Sequence, residues 1–130
     1  MFNFIDVEQN SDEWFELRAG RLTSSKLGVV MANFGKAFGE PAKKYAVNIA
    51  IEQITGEPIP STFTNAHMER GHEQEPIARD LYENNTFSDV SNGGFFDCGF
   101  IGCSPDGMVY DDGVIEIKSV IASVQFANVK

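Results

Sequence analysis

The 130-residue sequence predicts an α+β fold, because helix-like patterns fill its first part and short strand-like runs fill its last part. Helices are expected over about 11–20, 23–31, 41–55 and 65–84, with capping residues such as Ser11 at their starts. After residue 85, short apolar runs alternate with turns rich in Gly and Asp, which is typical of hairpins. Strands are therefore expected near 86–90, 94–97, 100–103, 108–110 and 114–120, a further helix near 122–130, and loops over 33–41 and 58–64.

Composition indicates one globular domain spanning residues 1–130. Hydrophobic residues make up 42% of the chain, which excludes a disordered segment, and no apolar run approaches the length of a membrane span. The first residues lack the basic start and apolar stretch of a signal peptide, so we expect a cytoplasmic protein. Cys98 and Cys103 are expected to be reduced thiols, because a disulfide framework or a zinc site needs more ligands.

The net charge of −9 argues at first against binding to DNA, but the charge is unevenly distributed. Residues 18–44 hold six basic side chains against one acidic side chain, which makes this segment locally positive by five charges. Such a segment can meet phosphate groups even in an acidic chain. The alternative is that these bases are scattered, solvated side chains.

The strongest chemical signal is Asp106 in a Pro-Asp-Gly turn, followed ten residues later by Glu116 and then by Lys118. If the second segment is a strand, Glu116 and Lys118 share one face, because side chains alternate along a strand. A hairpin through 111–113 would bring Asp106 beside Glu116. Two neighbouring carboxylates repel unless a cation lies between them, and Mg²⁺ prefers such oxygen ligands. The alternative is a surface hairpin with an ordinary Glu–Lys ion pair.

The pattern P-D-x(9)-E-x-K resembles the PD-(D/E)-x-K nuclease signature. Two further segments narrow the resemblance to the phage-lambda-type exonuclease family, also described as YqaJ-like viral recombinases. Residues 14–25 resemble the family's N-terminal motif W-x-x-L-R-x-G-x-x-T-A-S, with Ser24 in place of the Ala, and residues 71–79 resemble its G-x-x-x-E-x-x-A-R helix. The resemblance implies a restriction-endonuclease-like core, in which a mixed, mostly antiparallel central sheet is flanked by helices.

Site roles are implied by the resemblance position by position. The catalytic residues would be Glu75, Asp106, Glu116 and Lys118. The metal ligands would be Asp106, Glu116 and the backbone carbonyl of Ile117, with Glu75 near a possible second metal. The 5′ phosphate of the cut strand would be gripped by Arg18, Ser25 and Ser104, because Arg and hydroxyl side chains are suited to phosphate. His72, which lies three residues before Glu75, matches no functional position of the family and is expected to be non-catalytic.

The activity implied is Mg²⁺-dependent digestion of double-stranded DNA in the 5′-to-3′ direction, with Mn²⁺ as a substitute metal, leaving 3′ overhangs for recombination. The implied partners are DNA ends, a single-strand annealing protein and, in a homotrimer, further copies of the chain; no membrane is expected. Family members usually continue past the position of Lys130 through a helix with a Gln-containing motif. We therefore expect this chain to lack the family's C-terminal helices and strands, on which the homotrimer depends.

Three other functions remain open from the sequence. The first is a non-catalytic DNA-binding or assembly module with the same fold. The second is an endonuclease of the same superfamily, which would also cut closed circular DNA. The third is a structural or interaction protein of a phage in which the motif is a coincidence, and whose stability would not respond to divalent ions.

Overall fold

The computed structural model describes residues 2–32, 38–60 and 65–129. Its contacts divide the chain into two units, one formed by Met1–Ser61 with Asn92–Pro105 and the other by Thr62–Ser91 with Asp106–Lys130. The loops expected over 33–41 and 58–64 lie partly outside the described residues. The expectation of a single domain over 1–130 stays a prediction.

Three helices form in the first unit where the sequence predicts them. Helix α1 (Asp12–Arg18) begins at Ser11, whose side chain accepts the backbone N–H of Trp14. A 3-10 turn over Ser24–Lys26 leads into the short helix α2 (Leu27–Met31). Helix α3 (Glu40–Thr55) ends at Gly56, whose φ of 72° lies in the left-handed region that glycine adopts readily.

The sheet of the first unit has four strands in the order β1 (Asn3–Ile5), β4 (Phe95–Asp97), β5 (Ile101–Cys103) and β2 (Leu22–Thr23). The β1–β4 and β4–β5 pairs are antiparallel, and the β2–β5 pair is parallel. Phe95 is fully buried, and Gly102 lies against its ring. This hairpin and α1 are the elements that carry Ser104 and Arg18.

The second unit combines the long helix α4 (Ala66–Thr86) with strands β3 (Val90–Ser91), β6 (Gly107–Val109) and β7 (Gly113–Ile115) and with helix α5 (Ala122–Val129). Strand β6 lies between β3 and β7 and pairs with both in antiparallel fashion. The N-cap of α4 is Asn65, whose side chain accepts the N–H of Met68 at 2.9 Å. Strand β7 ends at Ile115, so residues 116–120, which were predicted to continue it, follow the strand instead.

These elements confirm the predicted α+β class with mixed, mostly antiparallel pairing, although the strands form two sheets of four and three strands. Apolar residues of a helix are ordinarily expected to lie in the core, but four of those on α4, Met68, Ile77, Leu81 and Tyr82, are 37–61% exposed. A helical repeat of apolar residues marks one face of a helix, but it does not supply a segment to cover that face. Within the described parts of the chain, no helix has the length and apolar character needed to cross a bilayer.

Candidate active site

Asp106 is held in the second unit by the pairing of β6 with β7. Its backbone N–H donates to the carbonyl of Ile115 at 3.0 Å, and its Oδ2 accepts the backbone N–H of Ile117 at 2.6 Å. Both bonds tie Asp106 to the segment that runs through Glu116. Asp106 and Glu116 were predicted to lie close together although they are ten residues apart in sequence. The hairpin register brings them together, because it pairs Gly107 with Ile115.

Glu116 and Lys118 lie just beyond the end of β7, and their side chains form a direct ion pair. If the strand continued through these residues, both side chains would lie on the same face of it. The strand ends one residue earlier, yet the pair shows that the two side chains still meet. Both are exposed, at 55% and 71%, so the ion pair by itself adds little stability.

Glu75 joins this group from α4, where it is 28% exposed and pairs with Arg79 at 3.2 Å. Burial raises the pKa of Glu75, and the carboxylate of Asp106 raises it further, whereas Arg79 and His72 oppose the rise and Glu116 adds to it. The hydrogen bond that Lys118 donates to Glu116 raises the pKa of Lys118, burial lowers it, and the negative charges of Glu116, Asp106 and Glu75 raise it further. We call these four residues, Glu75, Asp106, Glu116 and Lys118, the acid–lysine cluster.

The three acids of the acid–lysine cluster suit a hard divalent cation, because their possible ligand atoms are carboxylate oxygens. Burial is the main cause of the raised pKa of Glu75, and repulsion from the carboxylates of Asp106 and Glu116, which a cation would relieve, adds to it. Within the described ranges, however, no three His, Cys, Asp or Glu side chains lie close enough to hold a metal ion together. The assignment of these three acids as metal ligands therefore stays a prediction.

A second group of side chains lies in the first unit. Arg18, Ser25 and Ser104, which were predicted to share a site, contact one another there. Nη1 of Arg18 donates to Oγ of Ser104 at 3.2 Å, and Nη2 donates to Oγ of Ser25 at 3.3 Å. Oγ of Ser25 also lies 3.4 Å from Oγ1 of the buried Thr23. We call Arg18, Ser25 and Ser104 the Arg18 cluster. Its distance from the acid–lysine cluster stays a prediction.

The charge of Arg18 is only partly compensated by its surroundings. Burial lowers the pKa of Arg18, and the nearby Tyr45 opposes this shift. Among the residues described, no Asp or Glu forms an ion pair with it. A partly buried guanidinium that contacts hydroxyl groups and no carboxylate is suited to binding an anion.

Two further residues support these clusters, and the sequence assigned neither of them a site role. The ring Nε1 of Trp14 donates to Oγ of Ser104 at 3.0 Å, and its ring lies 4.3 Å from the guanidinium carbon of Arg18. Arg79 contacts both Glu75 and the backbone carbonyl of Asp106. Both residues stand in the motifs quoted above, and a search of those motifs for partners of the assigned residues could have found them.

The chain is similar to known proteins in both sequence and fold. Residues 13–130 match the model of the YqaJ-like viral recombinase domain. The chain is 32% identical to an alkaline exonuclease, LHK-Exo, from Laribacter hongkongensis, with a TM-score of 0.76, and to LHK-Exo in complex with dAMP, with a TM-score of 0.77. Each match covers 92% of this chain but 58% of that chain, so the chain spans little more than half the length of these relatives. No curated protein sequence matches. The similarity confirms the predicted restriction-endonuclease-like fold.

Proposed function

The chain belongs to the YqaJ-like viral recombinase family, and on this premise we propose that it is a metal-dependent deoxyribonuclease that digests double-stranded DNA from its ends. The observation that carries the proposal is the acid–lysine cluster: Asp106 accepts the N–H of Ile117, which lies between Glu116 and Lys118, and Arg79 links the carbonyl of Asp106 to Glu75. Its support is the similarity to a solved alkaline exonuclease at 32% identity.

The Arg18 cluster supports action at an end of the strand. A guanidinium bonded to two hydroxyl groups suits a terminal phosphate, which carries more charge than a phosphodiester. One solved relative is in complex with dAMP, a deoxynucleotide with one such terminal phosphate. We propose that Arg18, Ser25 and Ser104 bind the 5′ phosphate, so that digestion runs 5′ to 3′ and leaves a 3′ single-stranded overhang.

The proposed cofactor is Mg²⁺, with Mn²⁺ as a substitute. Asp106, Glu116 and the backbone carbonyl of Ile117 would hold it, and Glu75 would serve a possible second ion. When bound, the cation activates water and neutralises charge on the scissile phosphate. Lys118 would orient the attacking water and offset the negative charge that builds up on the phosphate. The bond from the N–H of Ile117 to Asp106 keeps that carboxylate in place.

The proposed partners follow from the family and not from a surface of this chain. They are duplex DNA ends, a single-strand annealing protein that receives the 3′ overhang, and two further copies of the chain in a homotrimer. The proposed place of action is the cytoplasm, that of the host cell if the chain is encoded by a phage.

The proposal is tested by incubating the chain with linear duplex DNA carrying a 5′ phosphate, with Mg²⁺ or with a chelator, beside an Asp106→Asn variant. We expect the unmodified chain to digest the 5′-phosphorylated strand when Mg²⁺ is present and not when the chelator is present. The Asp106→Asn variant should digest nothing in either case. Covalently closed circular duplex should stay intact. Cleavage of the closed circle would indicate an endonuclease instead.

A non-catalytic module of the same fold is the second candidate. It is favoured by the carboxylate of Glu116, which is engaged by Lys118, and by the absence of three converging metal ligands within the described residues. Such a module would bind duplex ends, and its binding would be the same with Asp106→Asn. Binding without any Mg²⁺-dependent digestion would support this candidate over the nuclease.

A further inference from the structure

Arg79 occupies a position that links two parts of the proposed metal site. It lies one helical turn after Glu75 on α4 and is 31% exposed. One of its nitrogens, Nη2, donates both to Oε1 of Glu75 at 3.2 Å and to the backbone carbonyl of Asp106 at 2.7 Å. A single guanidinium nitrogen therefore joins the carboxylate on the helix to the backbone of the residue that begins the β6–β7 hairpin.

The orientation of Arg79 is set by these two contacts. Its Nε is buried and has no hydrogen-bond partner among the described residues. A buried donor without a partner costs free energy, so other contacts must stabilise this position of the guanidinium. The short bond to the Asp106 carbonyl and the ion pair with Glu75 thus outweigh that cost.

We propose that Arg79 is a positioning residue that fixes the spacing between Glu75 and Asp106 and thereby raises the affinity of the site for a divalent cation. The inference rests on the proposed function, since it concerns the same metal site. Hydrogen-bond partners behind metal ligands typically contribute about 10- to 100-fold in metal affinity or activity. Arg79 contacts no reacting atom in this arrangement and acts only through the two acids.

The effect of charge alone has the opposite sign, which makes the inference testable. Removing a positive charge from beside three carboxylates strengthens their attraction for a cation. If Arg79 acted only as a nearby charge, Arg79→Ala would bind a divalent cation more tightly. If Arg79 positions the acids, the same variant binds the cation more weakly, because Glu75 and Asp106 are no longer held at a fixed spacing.

The experiment is a calorimetric titration of Mn²⁺ into the metal-free chain, so it requires no cleavage. We expect Arg79→Ala to weaken binding by about 10- to 100-fold, and Arg79→Lys, which keeps a donor and the charge, to recover part of the loss. The matched control is Arg70→Gln. Arg70 lies on the same helix and bonds Ser119, but it makes no bond to the three acids. Its variant should bind Mn²⁺ with the affinity of the unmodified chain.

Circular dichroism first establishes that each variant is folded, and Arg79→Gln replaces the alanine variant if that one unfolds. Unchanged or tighter Mn²⁺ binding by a folded Arg79 variant would overturn the inference while leaving the nuclease proposal intact, provided that Asp106→Asn abolishes binding. If the unmodified chain binds no Mn²⁺, or if Asp106→Asn binds it normally, the proposed metal site fails and the role of Arg79 fails with it.

Discussion

Lys118 has one direct partner among the described side chains, the carboxylate of Glu116, and it is otherwise exposed. Removing its ammonium leaves Asp106 and Glu116 in place, so metal should still bind. What would be lost is the positive group that we propose acts on the attacking water and the scissile phosphate. Lys118→Ala should therefore lower the rate of duplex digestion by on the order of 10²–10⁴-fold, measured as release of nucleotides under saturating Mg²⁺.

The comparison variant for Lys118 is Asp106→Ala, which should lose affinity for Mn²⁺ as well as activity. Lys118→Ala should keep its Mn²⁺ affinity in the same titration. Near-normal digestion by Lys118→Ala would show that the Glu116–Lys118 pair is an ordinary surface ion pair.

Arg18 is a partly buried cation that forms no ion pair with an acid among the described residues. Burial lowers its pKa, and in the described chain it bonds hydroxyl groups and no acid. A bond to a charged partner typically contributes about 1.5–3 kcal/mol, so Arg18→Ala should weaken binding of a 5′-phosphorylated duplex end by roughly 10- to 100-fold. Fluorescence anisotropy in the absence of divalent ions measures this binding.

An unphosphorylated end of the same sequence serves as the control ligand for Arg18, and Lys26→Ala serves as the control variant. Lys26 is an exposed base in the same segment and should have a small effect on both ends. If the unmodified chain binds the two ends equally, the phosphate assignment of the Arg18 cluster is wrong.

At the scale of elements, the β4–β5 hairpin depends on a glycine facing an aromatic ring. A Cβ added at Gly102 would lie 2.2 Å from Cζ of Phe95, which is fully buried. The ring cannot move without disturbing the packing around it, so Gly102→Ala should lower the free energy of unfolding by about 1–3 kcal/mol. Urea denaturation followed by circular dichroism measures the change.

Gly28 provides the contrasting glycine, because a Cβ added there would meet nothing within 4 Å. It lies in helix α2, where alanine is favoured over glycine by about 0.5–1 kcal/mol. Gly28→Ala should therefore be neutral or slightly stabilising. Equal destabilisation by the two substitutions would mean that the contact of Gly102 with the ring is not the cause.

At the scale of the whole molecule, apolar side chains are mostly exposed. Among the residues described, the buried apolar side chains are Val7, Ala42 and Phe95, whereas the most exposed large ones, Phe2, Ile54, Phe87 and Phe100, are 78–91% accessible. Exposed apolar surface of this extent favours association. Sedimentation velocity should show self-association that increases with protein concentration, with a trimer as the proposed end point. A single monomeric species over the whole concentration range would contradict this prediction.

Much of the secondary structure could be predicted because local rules determine it. Ser11 caps α1, Asn65 caps α4 and Gly56 ends α3, and each of these signals lies within a few residues of the element it bounds. The extent of β7 could not be predicted in this way. Its alternating pattern continues to residue 120, but strand pairing depends on a partner, and β6 begins at Gly107, which pairs with Ile115, the last residue of β7.

The sequence by itself determined the family and pointed to the residues of the candidate site, because Asp106, Glu116 and Lys118 belong to a motif with fixed spacing. Only the tertiary structure decided which residues support them. Arg79 meets Asp106 across 27 positions and Trp14 meets Ser104 across 90, and contacts at such separations depend on how elements pack. The exposure of the apolar side chains on α4 was decided at the same level, because burial needs a covering segment and no local pattern encodes one.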